Sequence, residues 1–171
     1  LKISDILHEA SSRGLDGIAI TDHNNMIARH EFTEGIQESG VCLLVGMEYD
    51  TPDGDFLLFG PFEDLQPGRP AADLLQLVED RQGVAIAAHP CREGRSLSRG
   101  ILENSTCRII EECNGRNTDA ENRAAGKCVE KYSLFSCGGS DAHGLDELGR
   151  AATQFSDPIT CRRDLIAALK S

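Results

Sequence analysis

Close to its C-terminus the chain reads Gly138-Gly139-Ser140-Asp141-Ala142-His143-Gly144. The stretch follows residues 133–137, an apolar run typical of a short strand. Because residues two apart in an extended segment point to the same side, Asp141 and His143 would direct a carboxylate and an imidazole at one point. Such a pair of donors suits zinc, manganese or iron. By itself the pair is also compatible with a capping aspartate beside a surface histidine, so its interpretation depends on the rest of the chain.

Four earlier segments show the same arrangement, an apolar run that ends in a side chain able to bind a metal. The runs are residues 15–20, 41–47, 83–88 and 107–113, and the donors that follow them are His23, Glu48, His89 and Asn114. Runs this continuously apolar are typical of strands buried on both faces of a sheet. Asn114 is also a common turn residue, so its place in the series is the weakest.

Helical patterns separate these runs. We predict helices at 3–14, 25–38, 71–82, 118–131 and 160–170, a hairpin strand at 56–60 after the turn 50–55, a loop at 91–100 and a last strand at 151–155. Repeated alternation of strand and helix predicts a largely parallel α/β sheet. Donors at the ends of five strands favour a TIM-like β/α barrel over an open sheet, which would gather ligands only near its switch point.

Composition narrows the classes of protein and partner. The 171 residues fit one domain, residues 1–171, and the net charge of −11 argues against nucleic acid as a partner. Seven cysteines without any Cys-x-x-Cys pair argue against a disulfide framework and a cysteine zinc site. The chain has no apolar run long enough to span a bilayer and no signal-peptide pattern, which predicts a cytoplasmic protein without a membrane partner.

Five segments, in this order, resemble the successive motifs of the PHP (polymerase and histidinol phosphatase) domain family. They are GLDGIAITDHN (14–24), VGMEY (45–49), AIAAHP (85–90), IEECNGRN (110–117) and GGSDAHGLDELGRAATQF (138–155). The resemblance spans almost the whole chain. It implies a distorted seven-stranded β/α barrel that holds two or three divalent ions, zinc, manganese, iron or magnesium. Characterised members of the family are mostly phosphoesterases.

Carried over by position, the resemblance implies six metal ligands in this sequence: His23, Glu48, His89, Asn114, Asp141 and His143. It also exposes one departure. The family begins with a strand that ends in His-x-His, upstream of the helix that begins here near Ile3. We therefore expect an N-terminally incomplete PHP-like domain and an incomplete metal site, with the first strand removed or never present. Removal is the favoured explanation, because a parallel barrel without one strand has open edges.

These residues predict a metal-dependent phosphoric ester hydrolase. A metal-bound hydroxide would attack a small phosphate monoester or a nucleotide, with Asp141 or His143 as the candidate proton donor to the leaving group. Arg92 and Arg116 follow ligand motifs closely and would bind the phosphate, although both also fit as solvated loop residues. The alternative function is a non-catalytic PHP-like barrel that serves as a binding or assembly module. The complete series of donor residues and the acidic composition favour the enzyme.

Overall fold

The protein folds into one mixed sheet with helices packed on both faces. The computed structural model describes residues 2–104 and 106–171. The helices are α1 Ile3–Ser12, α2 Ala71–Asp80, α3 Arg99–Glu103, α4 Asp119–Tyr132 and α5 Arg162–Lys170. The strands are β1 Gly17–His23, β2 Gly35–Ile36, β3 Cys42–Thr51, β4 Gly54–Phe59, β5 Val84–Ala87, β6 Ile109–Asn114 and β7 Phe135–Gly139.

The strand order along the sheet is β1-β3-β4-β5-β6-β7, with β2 paired to β3. The pairs β1–β3, β5–β6 and β6–β7 are parallel. In contrast, β4 runs antiparallel to both of its neighbours, β3 and β5. The predicted hairpin is therefore confirmed. Because β4 lies between β3 and β5, the sheet is mixed and not largely parallel as the alternation of strands and helices predicted.

The sheet curls into a half-barrel and does not close on itself. Within the described residues, β1 and β7 are the two ends of the strand order and do not pair with each other. The expected TIM-like barrel is therefore confirmed only in part, as a curled sheet with flanking helices. A preceding strand that closes the barrel stays a prediction.

The core fills both faces of the central strands. Every residue of β3 from Cys42 to Tyr49 is buried. Val45 and Met47 lie in the cluster that contains the apolar faces of α2 and α3, whereas Cys42 and Leu44 lie in the cluster that contains α5. The alternation follows the two-residue period of a strand. It confirms the prediction, from the continuous apolar run, that this strand is covered on both faces.

The predicted helix at 25–38 is wrong. The structure has a single 3-10 turn, Ile27–His30, followed by the two-residue strand β2. Gly35 has a φ of 117°, which no α-helix contains. The Glu34 carboxylate accepts a 2.7 Å hydrogen bond from the backbone N–H of Val45 and is paired with Arg162. These tertiary bonds hold the segment against β3, and local helix propensity cannot anticipate them.

The predicted last strand at 151–155 is also wrong. The segment lies beside β7 but bonds to it mainly through side chains. The Thr153 hydroxyl donates to the carbonyl of Gly138 (2.8 Å) and accepts from its N–H (2.9 Å), and the Ser140 hydroxyl donates to the carbonyl of Ala151 (3.0 Å). Hydroxyl groups thus take the place of the backbone ladder that defines a strand.

The remaining elements agree with the sequence to within a few residues, apart from α3, which was missed in and beyond the predicted loop at 91–100. Thr118 and Glu121, three residues apart, form a capping box at the start of α4, a common signature of a helix N-terminus. All seven cysteines are free thiols, as predicted. Across residues 2–104 and 106–171 the helices are too short or too polar to cross a membrane.

Candidate metal centre

A buried group of three side chains forms at the centre of the sheet. Glu48 lies near the end of β3, Asp55 near the start of β4, and His89 just after β5. The Nε2 atom of His89 is 3.0 Å from Glu48 Oε1 and 3.7 Å from Asp55 Oδ2. One donor atom from each residue lies within 4.8 Å of the other two. The residues are 8 %, 4 % and 2 % exposed, so the group is shielded from solvent.

Two polar atoms of this group have no hydrogen-bond partner among the described residues. They are His89 Nδ1 and Asp55 Oδ2, both buried, and the Asp55 oxygen has an ion-pair contact of 2.8 Å with Arg95 Nε that is poorly aligned for a hydrogen bond. Buried polar atoms are seldom left unpaired, because desolvation without compensation costs about 1–3 kcal/mol. Two carboxylates and an imidazole are also the donor set of zinc, manganese and iron sites. The geometry and the chemistry of this group therefore fit a divalent metal.

His23 extends the group on the side of β1. It pairs in register with Glu48 of β3, and its Nε2 atom is 3.7 Å from Glu48 Oε2. Its Nδ1 atom is 3.2 Å from Asp50 Oδ1. Asn24 donates a 2.7 Å hydrogen bond to Asp50 Oδ2. Burial alone would raise the pKa of Asp50, but the hydrogen bonds from Asn24 and His23 and the charge of Arg95 outweigh it and lower the pKa.

Asp141 and His143 form a second group after β7. His143 Nδ1 is 3.6 Å from Asp141 Oδ1, and Arg116 Nη1 lies 2.9 Å from the same His143 nitrogen. Arg92 donates from Nη2 to Asp141 Oδ2 (2.7 Å) and to Asn114 Oδ1 (2.8 Å). Asp141, at a side-chain exposure of 11 %, is largely covered, whereas His143 at 58 % is open to solvent.

Glu111, a buried glutamate of β6, links the two groups. Its Oε2 atom accepts a 2.8 Å hydrogen bond from the backbone N–H of His89 and a 3.0 Å hydrogen bond from Asn114 Nδ2. Through Asn114 and Arg92 the contacts continue to Asp141. Burial raises the pKa of Glu111, and the hydrogen bonds from Asn114 and His89 offset only part of that effect. All six predicted ligands therefore belong to one continuous network of contacts.

The backbone at this end of the sheet is held in unusual conformations. Asn24, His89 and Asp141 have φ angles of 56°, 31° and 49°. Positive φ is uncommon for residues other than glycine and costs about 1–3 kcal/mol. Each of these residues is a predicted ligand or the neighbour of one. The surrounding contacts therefore maintain local strain at the positions that would hold a metal.

Sequence reasoning missed three members of the network, Asp50, Asp55 and Glu111. Asp50 and Asp55 were assigned only to the hairpin turn, although they are direct partners across the β3–β4 ladder. Because β4 runs opposite to β3 and β5, its first residues lie at the same edge of the sheet as the last residues of those two strands. A glutamate within the apolar run of β6 was the available signal for Glu111, because a buried carboxylate needs partners.

Two family models match the sequence. The one described as PHP domain matches residues 1–105, and the one described as PHP-associated matches residues 119–171. The chain is also 31% identical, over 86 residues, to the uncharacterized protein MJ1587 of Methanocaldococcus jannaschii. That alignment covers 50% of this chain, and the chain spans about half the length of this curated relative.

Solved structures share the fold at low sequence identity. The match with PsfC from Pseudomonas syringae covers 97% of this chain and 79% of the PsfC chain, with a TM-score of 0.78 and 20% identity. A Bifidobacterium adolescentis protein designated a metal-dependent phosphoesterase matches 96% and 89%, with a TM-score of 0.68 and 16% identity. Endonuclease Q, bound to a DNA duplex, matches 98% and 51%, with a TM-score of 0.69 and 14% identity.

The first family model alone covers more than half of the chain, and its match contains the His23, Glu48 and His89 motifs. The second begins with α4 and contains the Asp141 and His143 motif. Family match, fold and the network of donor side chains agree. This chain belongs to the PHP domain family.

Proposed function

We propose that this chain forms the catalytic domain of a metal-dependent phosphoesterase that hydrolyses a small phosphate monoester or a nucleotide. The observation that carries the proposal is the buried group of Glu48, Asp55 and His89, in which one donor atom of each residue lies within 4.8 Å of the other two. Two carboxylates and an imidazole in this arrangement suit a divalent metal. The mixture of imidazole and carboxylate favours zinc, manganese or iron over magnesium.

The six ligands expected from the sequence, with Asp55 added, would hold the metal, and a complete site would take two or three ions. When bound, a divalent metal lowers the pKa of a coordinated water and draws charge from the phosphoryl oxygens. Glu48 lies between His23 and His89, at 3.7 Å and 3.0 Å, so its carboxylate would act as a donor together with both imidazoles. Glu111 would keep His89 and Asn114 in position through its hydrogen bonds.

His143 and Asp141 would have different roles in the reaction. His143 is the most solvent-exposed of the six ligands, so we assign to its imidazole a second role, the protonation of the leaving alkoxide. The Asp141 carboxylate is paired with Arg92, which suits a ligand better than a proton donor. Arg116, at a side-chain exposure of 40 %, could turn from His143 to a phosphate oxygen. Arg92 would add positive charge beside the phosphate while it holds Asp141.

We also propose that a strand with His-x-His, upstream of Leu1, completes the sheet and the site. β1 and β7 each have one edge without a partner among the described strands. Ala19 of β1 is exposed and Phe135 of β7 is 50 % exposed. At β7 the segment 151–155 already bonds the backbone of Gly138 through the Thr153 hydroxyl, so β1 offers the free backbone edge. A strand paired with β1 would bond its free backbone groups and cover exposed side chains such as that of Ala19.

Nucleic acid belongs among the substrates to be assayed beside small phosphate esters. The net charge of −11 predicted that nucleic acid is not a partner. That exclusion is not supported, because endonuclease Q has a similar fold and is bound to DNA. The phosphate ester bond is common to both classes of substrate. An assay of the proposed function must therefore include a nucleic acid.

The test is a hydrolysis assay on protein stripped of metal with a chelator and reloaded with Mn²⁺, Zn²⁺, Fe²⁺ or Mg²⁺. The panel contains phosphomonoesters, nucleotides and a DNA duplex, and the protein is assayed both as the 171-residue chain and with its upstream strand restored. We expect turnover with at least one metal in the extended form. His89→Ala and Asp141→Ala should abolish it, whereas His30→Ala, in the exposed 3-10 turn, should leave it unchanged.

Protein that binds metal but hydrolyses nothing in the panel would favour the alternative, a barrel that acts as a binding or assembly module. Hydrolysis of the DNA duplex alone would keep the metal-dependent phosphoesterase and replace its small substrate with nucleic acid. Circular dichroism of each variant separates loss of a ligand from loss of the fold.

A further inference from the structure

Arg95 connects solvent to the buried metal centre. It lies in the loop after β5, and its Nε atom is 2.8 Å from Asp55 Oδ2, while Nη2 is 3.1 Å from Asp50 Oδ1. The Arg95 side chain is 45 % exposed, whereas that of Asp55 is only 5 % exposed. The guanidinium therefore reaches from the surface to a carboxylate that belongs to the donor group.

The contact has two properties that set it apart from a structural ion pair. First, the oxygen that faces Arg95 is the same Asp55 Oδ2 that faces His89 Nε2, at 3.7 Å. Second, the 2.8 Å contact of this buried oxygen with Arg95 Nε is poorly aligned for a hydrogen bond, so the two groups are held together mainly by charge. A cation held by Glu48, Asp55 and His89 would need the same oxygen, and two positive groups so close repel each other.

The balance of charge around the centre also indicates that Arg95 takes the place of a cation. Glu48, Asp50 and Asp55 bring three carboxylates together, and in the part of the chain that the structure describes Arg95 is the one arginine or lysine paired with any of them. Burial raises the pKa of Asp55, and the nearby guanidinium of Arg95 offsets part of that rise. Arg95 thus balances charge that a divalent cation would balance more completely.

Resting on the proposed function, we propose that Arg95 is a displaceable counter-cation that becomes a phosphate-binding residue. With a divalent cation held by Glu48, Asp55 and His89, the guanidinium of Arg95 would leave Asp55. The contact with the half-exposed Asp50 keeps the released side chain at the mouth of the centre. Its planar fork then binds the phosphate oxygens of the substrate, the geometry for which arginine is suited. Metal binding and phosphate binding are therefore coupled through one side chain.

The test measures binding of Mn²⁺ and of inorganic phosphate by calorimetry, without turnover, in wild-type protein, R95Q and R99Q. Arg99, at the start of α3, is the matched control because it belongs to the same connection but to none of the site contacts. R95Q should bind Mn²⁺ about tenfold more tightly than wild type, within the usual range of coupling between two sites. The Mn²⁺-loaded R95Q should bind phosphate about tenfold more weakly than loaded wild type. R99Q should match wild type in both measurements.

The sign of the metal effect separates this role from a structural one, since a damaged site would bind metal more weakly. Equal or weaker Mn²⁺ binding by R95Q overturns the inference, and so does phosphate binding that is the same in loaded R95Q and loaded wild type. Because neither measurement depends on hydrolysis, a protein without phosphoesterase activity could still meet both expectations. Failure of every variant to bind Mn²⁺ would overturn the metal centre and this inference together.

Discussion

The centre of the sheet and its two ends present the same chemistry in different surroundings. In β3 every residue from Cys42 to Tyr49 is buried, whereas Phe135 at the start of β7 is 50 % exposed. The candidate histidines follow this difference. The side chain of His89, in the centre, is 2 % exposed, but those of His23 and His143, at the ends, are 46 % and 58 % exposed. Donors at the centre are therefore held by packing, and donors at the ends are held mainly by polar contacts.

This difference indicates how the site is built. Glu48 and Asp55 lie on the adjacent strands β3 and β4, and His89 follows β5 directly in the buried centre, so their positions are set before any metal binds. His143 depends on Arg116 and on the backbone of its own turn. We infer that the centre provides affinity for the metal and that the ends provide adjustable groups for chemistry. The following predictions test that division.

The largest effect should come from removing a central ligand. His89→Ala should weaken Mn²⁺ binding by more than about 100-fold, because even residues that only support a metal ligand cost about 10–100-fold when they are changed. His143→Ala should weaken it by about tenfold or less, since this imidazole is half exposed and replaceable by water. Calorimetric titration of Mn²⁺ into both variants measures the ratio. Equal losses in the two variants would contradict a preorganised centre.

An intermediate effect is expected on stability from a matched pair of apolar truncations. Leu58 of β4 is fully buried, so Leu58→Ala should lower the free energy of unfolding by about 2–5 kcal/mol through lost contacts and a residual cavity. Phe135→Ala should cost less than about 1 kcal/mol, because the ring is half exposed and its clearest contact is the guanidinium of Arg108 at 5.7 Å. Urea denaturation of both variants gives the two values. A larger loss at Phe135 would show that the β7 edge is better packed than its exposure indicates.

The smallest effect should appear at the periphery, in the acid stability of α5. The Thr160 side chain and N–H donate to Asp164 Oδ2 at 2.6 Å and 3.1 Å, and these hydrogen bonds lower the pKa of Asp164 from 3.8 to about 2. A carboxyl group whose pKa is lower in the folded state stabilises that state at pH values above its pKa in the unfolded chain. This stabilisation is lost as the pH falls through the pKa of the folded state. Asp164→Asn should therefore be less stable than wild type near neutral pH, with the gap shrinking between about pH 4 and about pH 2. Thermal unfolding across that range measures it, and a gap independent of pH would refute the assignment.

Much of the fold and part of the site could be predicted from local patterns. The apolar runs located β1, β3, β5, β6 and β7, and the residues after them located the six expected ligands, because strand ends are encoded locally. Asp55 was missed because its role depends on the antiparallel insertion of β4. The helix predicted at 25–38 failed because the Glu34 bonds to Val45 and Arg162 override local propensity. Arg95 was missed because nothing in its neighbourhood along the chain marks the carboxylates that it reaches.

The sequence by itself determined five strands, β1, β3, β5, β6 and β7, to within a few residues, the hairpin strand β4, and the family that the motifs resemble, because these properties depend on residues close together along the chain. Only the tertiary structure decided which donors meet. It placed Asp55 beside Glu48 and His89, joined the two groups of ligands through the buried Glu111, and brought Arg95 onto Asp55. The physical reason is that these contacts join residues from different strands and loops. Their free energy depends on burial and on interatomic distance, which exist only once the sheet has formed.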